Sequence, residues 1–244
     1  MTFRQISTSF RPLGDSALVV QLGEGIEPAI HKKLKHLSLS LEDSPFPGFI
    51  EAVPSYNSLA VYYDPIIVCR LHSNQAKTSS YQIVSGFLLD LLKSLENQQI
   101  AVQRWIDIPV LYGGEYGPDL EYVAFHNGLT VDEVIHLHSA PEYLVYMLGF
   151  APGFPFMGGM DEQIAVPRKD SPRLSIPPGS VGIAGKQTGI YPLETPGGWQ
   201  IIGRTPLDLF LPDYSPPTLL QPGDKIRFVP ISLKEFTSLK EKKQ

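Results

Sequence analysis

A window dense in glycine and proline constrains the fold more than any other feature of this sequence. Residues 147–206 hold 11 of the 21 glycines and 9 of the 23 prolines. Glycine and proline are the poorest helix formers, so a helix of ordinary length is incompatible with this density. The window therefore predicts short strands joined by many turns, as in a compact β-barrel or sandwich.

The first hundred residues follow a different pattern, in which strand-like and helix-like runs alternate. Strand-like runs cover residues 16–22, 49–53 and 58–63. Apolar residues at helical spacing cover 26–41 and 83–95, and this alternation favours an open sheet with helices on one face. The sequence predicts an α+β chain of two domains: an N-terminal open-sheet α/β domain over residues 1–101 and a β-barrel domain over residues 102–244 with a polar C-terminal tail.

Local signals predict further elements around the window. A strand is expected over 101–110, a short helix over 119–126 and a closing strand over 225–229. Thr130 and Glu133 have the spacing of a capping box, which predicts a helix running to about His138. The single cysteine, Cys69, lies in an apolar run, where a buried and inert thiol is expected.

Composition narrows the classes of function. The net charge is −5, which argues against a nucleic-acid binder, because such a protein needs a basic face to meet phosphates. No secretory signal is visible at the N-terminus, and no apolar stretch is long enough to span a membrane. We therefore expect a cytoplasmic protein without nucleic-acid or membrane partners, and one lone cysteine fits a reducing compartment.

The window and its flanks carry specific motifs. The longest are Tyr-Met-Leu-Gly-Phe-Ala-Pro-Gly-Phe-Pro-Phe-Met-Gly-Gly over 146–159 and Pro-Gly-Ser-Val-Gly-Ile-Ala-Gly over 178–185. Shorter ones are Pro-Arg-Lys-Asp-Ser-Pro-Arg over 167–173, Gln-Thr-Gly-Ile-Tyr-Pro over 187–192, Pro-Gly-Gly-Trp over 196–199 and Gly-Arg-Thr-Pro over 203–206. With these motifs the sequence resembles the family of B-type subunits of 5-oxoprolinase over nearly its whole length. The same family includes KipI-type kinase inhibitors and the first subunit of allophanate hydrolase and urea carboxylase enzymes.

The resemblance implies both a fold and a role. The implied fold is a cyclophilin-like β-barrel for the C-terminal domain. The implied role is that of the B-type subunit of an ATP-dependent 5-oxoprolinase, which opens 5-oxo-L-proline to L-glutamate. The implied partners are a barrel protein like the C-type subunit of that enzyme and a larger protein like its A-type subunit.

The aromatic residues of the first motif are expected in the barrel core or at a partner interface. They are Tyr146, Phe150, Phe154 and Phe156. Phe156 stands where the family often has tyrosine, so this chain lacks a hydroxyl group at this position.

The arginines of the window are candidates for binding an anionic substrate. A forked guanidinium suits a carboxylate such as that of 5-oxoproline and can also stabilise negative charge that develops during reaction. On this ground and on the resemblance, Arg173 and Arg204 are candidate catalytic residues and Arg168 is a candidate substrate-binding residue. The alternative reading is a surface arginine that pairs with an acid.

A second group of candidates lies around 185–191, where polar side chains alternate with small residues. Gln187 and Tyr191 are candidate catalytic residues, and Thr188 is a candidate for substrate binding. Gly182, Gly185 and Gly189 would let a ligand approach the backbone, or would serve turns that require positive φ.

Two histidines and a tryptophan complete the candidate set. His138 is a candidate catalytic residue and His126 a candidate substrate-binding residue, with a helix-terminal histidine as the alternative in both cases. Trp199 is a candidate ligand platform, with a core or rim aromatic as the alternative. His136 and His138 are two residues apart rather than four, so no metal site is predicted.

A phosphate-binding loop is incomplete in this sequence. Gly185-Lys186 is similar to the end of such a loop, but Ser180 and Gln187 occupy the positions that require glycine and Ser/Thr. If ATP is a co-substrate, it binds another chain of the complex or an unfamiliar site.

Two alternatives to the oxoprolinase stay open. One is an inhibitor of a sensor histidine kinase, which would need an exposed apolar patch. Phe154, Phe156, Met157 and Met160 could supply that patch. The other alternative is a component of allophanate hydrolase or urea carboxylase.

Overall fold

The computed structural model describes residues 7–71, 78–95 and 104–242. The described chain divides into two compact units, Met1–Val102 and Gln103–Gln244. Together they give the predicted α+β class, with an open sheet first and a nearly closed barrel-like sheet second.

The first unit is a four-stranded antiparallel sheet with helices on one face. Its elements are β1 (Thr8–Pro12), β2 (Ala17–Leu22), α1 (Pro28–Asp43), β3 (Phe49–Pro54), β4 (Ser58–Tyr63), α2 (Pro65–Leu71) and α3 (Ser80–Leu95). The strand order is β1-β2-β4-β3. Alternate residues of β2 and β4, such as Leu18, Val20 and Val61, enter one buried cluster with Leu34 of α1 and other residues of α1 and α3. That alternation places both helices on the same side of the sheet.

The interpretation of Cys69 as a buried thiol was wrong. The apolar run around it forms α2, and this short helix buries Val68 while Cys69 is exposed. A helix turns about 100° per residue, so neighbours in an unbroken apolar run point in different directions and cannot all reach the core.

The second unit is built mainly from short strands, with α-helices between and after them. The elements are β5 (Trp105–Tyr112), α4 (Leu120–Asn127), α5 (Val131–Ser139), β6 (Tyr143–Leu148), β7 (Pro155–Gly158), β8 (Arg173–Ile176), β9 (Ser180–Ala184), β10 (Gln187–Ile190), β11 (Thr195–Gly197), β12 (Gln200–Arg204), β13 (Lys225–Pro230) and α6 (Leu233–Glu241). The strand predicted over 101–110 is observed from Trp105, and residues 101–103 lie outside the described part of the chain.

Seven of these strands form one sheet in the order β10-β9-β12-β5-β13-β6-β7. The terminal strands β7 and β10 lie against each other, so the sheet curls almost into a barrel. Its interior holds apolar residues such as Ile108, Val181 and Phe228. Strands β8 and β11 form a separate two-stranded ribbon, in which Arg173 is paired with Gly197. This ribbon stands beside the candidate site described next.

Capping explains why α5 begins where it does. The Thr130 hydroxyl accepts a hydrogen bond from the Glu133 backbone N–H, and the Glu133 carboxylate accepts one from the Thr130 backbone N–H at 2.8 Å. Both backbone donors would otherwise lack partners at the helix start. The predicted capping box is confirmed.

Candidate functional site

An aromatic cavity of about 260 Å³ opens on the barrel unit beside the β8–β11 ribbon. The residues that line it are Phe150, Phe154, Phe156, Arg168, Pro172, Tyr191, Pro196, Gly197, Gly198 and Trp199. Pockets for drug-sized ligands measure about 300–1,000 Å³, so this cavity suits a smaller molecule. Five of the ten lining residues are aromatic, and Arg168 is the charged one among them.

Phe154 is the centre of the aromatic wall. Its ring meets the rings of Tyr191 and Trp199 edge-to-face at centroid distances of 5.5 Å each, and that of Phe156 at 5.1 Å. Edge-to-face pairs at such distances are favourable because a positive ring edge faces a negative ring face. Phe154, Tyr191 and Trp199 are all buried in one cluster, so the wall is fixed by packing.

Two glycines of the window make room for this wall. A Cβ on Gly189 would lie 2.7 Å from the Phe154 ring and 3.1 Å from the Trp199 ring. A Cβ on Gly182 would lie 3.2 Å from the Trp199 Cβ. The space at Gly189 is therefore occupied by aromatic rings, whereas the space at Gly182 is occupied by the Ile201 side chain, at 3.1 Å, and by the Cβ of Trp199. Of the three glycines singled out in the sequence, Gly185 at the β9–β10 turn is the one with positive φ (57°).

Tyr191 is a buried residue of the cavity lining that carries a hydroxyl group. Burial raises the pKa of its phenol, while a hydrogen bond from the Trp199 backbone and the guanidinium groups of Arg168 and Arg173 oppose that rise. Both arginines thus lie close enough to place a positive field at the cavity. Tyr191 stays protonated at neutral pH, so it is a hydrogen-bond donor to any ligand there.

Asp119 is the buried acid that holds this region together. One carboxylate oxygen accepts from Arg173 Nη2 at 2.7 Å and from Lys169 Nζ at 3.5 Å. The other accepts from the Ile201 backbone N–H at 2.6 Å. Asp119 thereby joins the start of α4, strand β12 and the ribbon. Arg173 keeps a buried Nη1 without a hydrogen-bond partner among the described residues.

His138 lies in the protein interior, outside the cavity lining. Its side chain is fully buried, with Nδ1 2.8 Å from the Tyr112 hydroxyl and Nε2 2.9 Å from the Thr188 hydroxyl. Because the Thr188 hydroxyl donates to the Gly182 carbonyl at 3.1 Å, it accepts from His138, which places the imidazole proton on Nε2. Burial lowers the pKa of His138 to about 3. The imidazole is a neutral link in a satisfied hydrogen-bond chain.

The structure brings some predicted site residues together and separates others. Arg168, Tyr191 and Trp199 line the cavity, and Arg173 lies behind it on β8. Thr188 is buried against His138, and His126 is exposed near the end of α4. Gln187 begins β10 beside the turn at Gly185.

Arg204, the remaining predicted residue, is at the end of β12, with its guanidinium carbon 5.4 Å from the Tyr116 ring centroid. Neither Gln187 nor Arg204 lines the cavity. Their catalytic roles therefore stay predictions.

Sequence reasoning missed the contacts of Asp119 and the position of Phe150 in the cavity lining. Asp119 was expected only as the first residue of a helix, and its contacts lie 54 and 82 residues away in sequence. Three of the four residues suggested for the exposed apolar patch of a kinase inhibitor, Phe154, Met157 and Met160, are buried, so that suggestion was wrong for them. Phe150, in contrast, is 70% exposed, which contradicts a place in the barrel core and leaves the other prediction, a partner interface, untested.

No group of three or more His, Cys, Asp or Glu side chains is placed to hold a metal ion in the ranges 7–71, 78–95 and 104–242. No helix in the described part of the chain combines the length and hydrophobicity needed to cross a membrane.

Comparison with known proteins identifies the family. The chain belongs to the family described as carboxyltransferase domain, subdomain C and D, whose model matches residues 8–220. Within that family, two bacterial relatives are both named as the B-type subunit of 5-oxoprolinase. The Bacillus subtilis protein is 51% identical over 94% of this chain and 95% of its own length. The Escherichia coli O157:H7 protein is 43% identical over 89% of this chain and 94% of its own length. The resemblance seen in the sequence motifs is confirmed.

Solved structures show the same fold. The protein TTHA0988 is 38% identical with a TM-score of 0.74, and the match covers 88% of this chain and 40% of that one. The Kluyveromyces lactis urea amidolyase is 20% identical with a TM-score of 0.71, and the match covers 96% of this chain and 15% of that one. The second likeness concerns the fold alone. The module is thus also found as a fraction of much longer chains.

Proposed function

We propose that this chain is the B-type subunit of an ATP-dependent 5-oxoprolinase, which opens 5-oxo-L-proline to L-glutamate together with subunits of the A and C types. The observation that carries the proposal is the cavity, which places one guanidinium beside a wall of aromatic rings. The names and the 51% and 43% identities of the two bacterial relatives support the same conclusion.

The cavity complements the substrate class in size and chemistry. 5-Oxoproline is a small five-membered lactam with one carboxylate. Arg168 offers a charge-assisted hydrogen bond to that carboxylate, and the rings of Phe154 and Trp199 offer apolar surface to the lactam ring. The Tyr191 hydroxyl, protonated at neutral pH, can donate to an oxygen of the bound lactam.

ATP would activate the lactam by transfer of its terminal phosphoryl group to the lactam oxygen, with ADP as the leaving group. Water would then attack the more electrophilic ring carbon, the C–N bond would break with a proton taken up by the nitrogen, and phosphate would leave. Half of the residues that line the cavity are aromatic and one is a cation, a poor match for a triphosphate, which needs several donors or cations. The phosphate-binding loop sequence is also incomplete at Ser180 and Gln187. We therefore assign ATP binding to a partner protein of the complex, with this chain holding the lactam.

We propose that His138 is not the residue that transfers protons in this reaction. A general base must reach the proton that it takes and have a pKa near the working pH. His138 satisfies neither condition, since its two ring nitrogens are engaged by buried hydroxyls and burial lowers its pKa to about 3. Its proposed role is to tie β5, α5 and β10 together.

Reconstitution from three purified subunits tests the proposed function. We expect ATP-dependent release of glutamate from 5-oxoproline by the complete set, and loss of that activity when this chain alone is omitted. Restoring the chain should restore the rate in proportion to the amount added, up to saturation. A full rate without this chain would contradict the proposal. A rate that responds to allophanate or urea and not to 5-oxoproline would favour the urea-related alternative instead.

A further inference from the structure

Phe150 has an unusual backbone and an unusual exposure. It is the non-glycine residue with positive φ (67°) in the described part of the chain. The Ala151 backbone N–H donates to the Gly149 carbonyl at 2.8 Å, which closes a γ-turn with Phe150 at its centre. A γ-turn with positive φ is rare and strained for a residue that has a Cβ.

Neighbouring hydrogen bonds hold this turn in place. The loop joins β6 to β7, and the Gly149 backbone N–H donates to the Phe154 carbonyl at 3.1 Å across its base. The Phe154 backbone N–H donates to the Ala151 carbonyl at 3.0 Å, with Gly153 at φ 82° inside that second turn. Two interlocked turns therefore fix the direction of the Phe150 side chain.

The Phe150 ring is presented to the cavity and contributes little to the core. It lines the cavity and meets the Phe154 ring at 5.5 Å and 76°, yet 70% of the residue is exposed. An exposed aromatic ring on a strained turn is unfavourable for folding on both counts. Such strain tends to be kept where a ligand or a functional contact uses the geometry.

We propose that Phe150 is a specificity-determining residue that covers the lactam ring of the bound substrate and favours cyclic over open-chain amides. This inference rests on the proposed function and deepens it. The carboxylate is held by Arg168 in either kind of ligand. A flat, rigid ring fills the space between Phe150 and the aromatic wall, whereas an open-chain amide loses rotamer freedom and covers less apolar surface.

Three variants in the reconstituted complex test this role. Phe150→Ala and Phe150→Gly remove the ring, and Phe150→Tyr keeps it. We expect KM for 5-oxo-L-proline to rise about tenfold in the first two variants, which corresponds to about 1.4 kcal/mol. In Phe150→Tyr, KM should stay within about twofold of the wild type, because the added hydroxyl can point to solvent. N-acetyl-L-alanine serves as the open-chain probe, and its inhibition constant should change less than about twofold in all three.

Thermal unfolding distinguishes the effect of the strained backbone on stability from the effect of the ring on substrate binding. Both small variants lack the ring, but only glycine tolerates the positive φ. We expect Phe150→Gly to melt about 2–4 °C above Phe150→Ala, while the two share the same rise in KM. Because the two variants would differ in melting temperature and share the same rise in KM, misfolding would be excluded as the cause of the weaker substrate binding.

Several results would overturn the inference alone. These are a wild-type KM in Phe150→Ala, an equal weakening of the cyclic substrate and the open-chain probe, or a failure of the subunits to associate that accounts for the whole rate change. The last result would reassign Phe150 to an interface with a partner protein. If the wild-type complex releases no glutamate from 5-oxoproline, the proposed function fails first, and the inference fails with it.

Discussion

His138 shows how a residue with catalytic chemistry can serve the fold. The Tyr112 hydroxyl donates to Nδ1, and Nε2–H donates to the Thr188 hydroxyl, which in turn donates to the Gly182 carbonyl. The imidazole also packs on the Phe228 ring at 4.3 Å. Both ring nitrogens of His138 have hydrogen-bond partners only while the imidazole is neutral. Protonation of the buried ring would therefore destabilise the barrel.

The His138→Gln variant tests this role through pH. Folding lowers the pKa of His138 from 6.5 to about 3, so the unfolded chain binds the proton more tightly. Stability from this group is complete above pH 6.5 and is lost as pH falls toward 3. In the wild type, this group should lower the free energy of unfolding by about 2 kcal/mol between pH 8 and pH 5.

Urea unfolding of both proteins at the two pH values measures this difference. His138→Gln should be less stable at pH 8 by about 1–3 kcal/mol, because two buried hydroxyls lose a partner. Its stability should, however, fall less steeply with acid than that of the wild type. If the free energy of unfolding fell equally with acid in the two proteins, folding would not lower the pKa of His138, and the account would be contradicted.

At the residue scale, sequence reasoning singled out three residues that the structure places in the cavity lining. Tyr191, Trp199 and Arg168 were recognised from their motifs and line the cavity. Of the three glycines singled out, Gly185 has the positive φ expected of a turn, whereas Gly182 and Gly189 have side chains of Ile201, Trp199 and Phe154 against them rather than open space for a ligand. Which neighbour fills the space above a glycine depends on strand pairing, and a single sequence does not specify that pairing.

The β8–β11 ribbon is the element that shapes one side of the cavity, and Asp119 is its anchor. The carboxylate is 7% exposed and the Arg173 side chain 28% exposed, so this ion pair is largely shielded from water. The same carboxylate holds the Ile201 backbone on β12. Removing its charge would leave Arg173 and Lys169 without their acid and loosen the ribbon from the barrel.

The Asp119→Asn variant tests that anchor. We expect a loss of about 2–3 kcal/mol in the free energy of unfolding, which is less than the roughly 3–5 kcal/mol of a fully buried pair because Arg173 is partly exposed. Lys186→Met is the matched control: its pair with Glu162 has both side chains about two-thirds exposed, 67% and 70%. That control should change stability by less than about 1 kcal/mol. Equal, small losses in the two variants by urea unfolding would contradict the anchoring role.

At the element scale, the sequence predicted what local chemistry dictates. The capping box of α5 and the strands β2, β4 and β13 were found within one or two residues of their ends. Strand β1 and the short helix α2 were missed. Helix α2 has seven residues and one buried side chain, so its apolar run carries almost no periodic signal. The β8–β11 ribbon could not be predicted, since its strands are four and three residues long.

At the scale of the whole molecule, the chain combines an open-sheet unit and a barrel unit, and the cavity belongs to the barrel unit. Because the net charge is −5, the proposed binding of an anion in this cavity would depend on local cations rather than on the overall field. Arg168 and Arg173 supply that local charge beside Tyr191. The fold class could be predicted from the density of glycine and proline and from the alternation of strand-like and helix-like runs. The cavity could not be predicted in this way, because it depends on the tertiary contacts of the β8–β11 ribbon.

The Arg168→Ala variant in the reconstituted complex of three proteins tests the central claim, that this cavity holds the substrate carboxylate. We expect KM for 5-oxo-L-proline to rise about 10- to 100-fold, the value of a charge-assisted hydrogen bond, with partial recovery in Arg168→Lys. Arg227→Ala is the control, because Arg227 pairs with Asp107 on the surface and does not line the cavity. A KM for Arg168→Ala as low as that of the control would contradict the account.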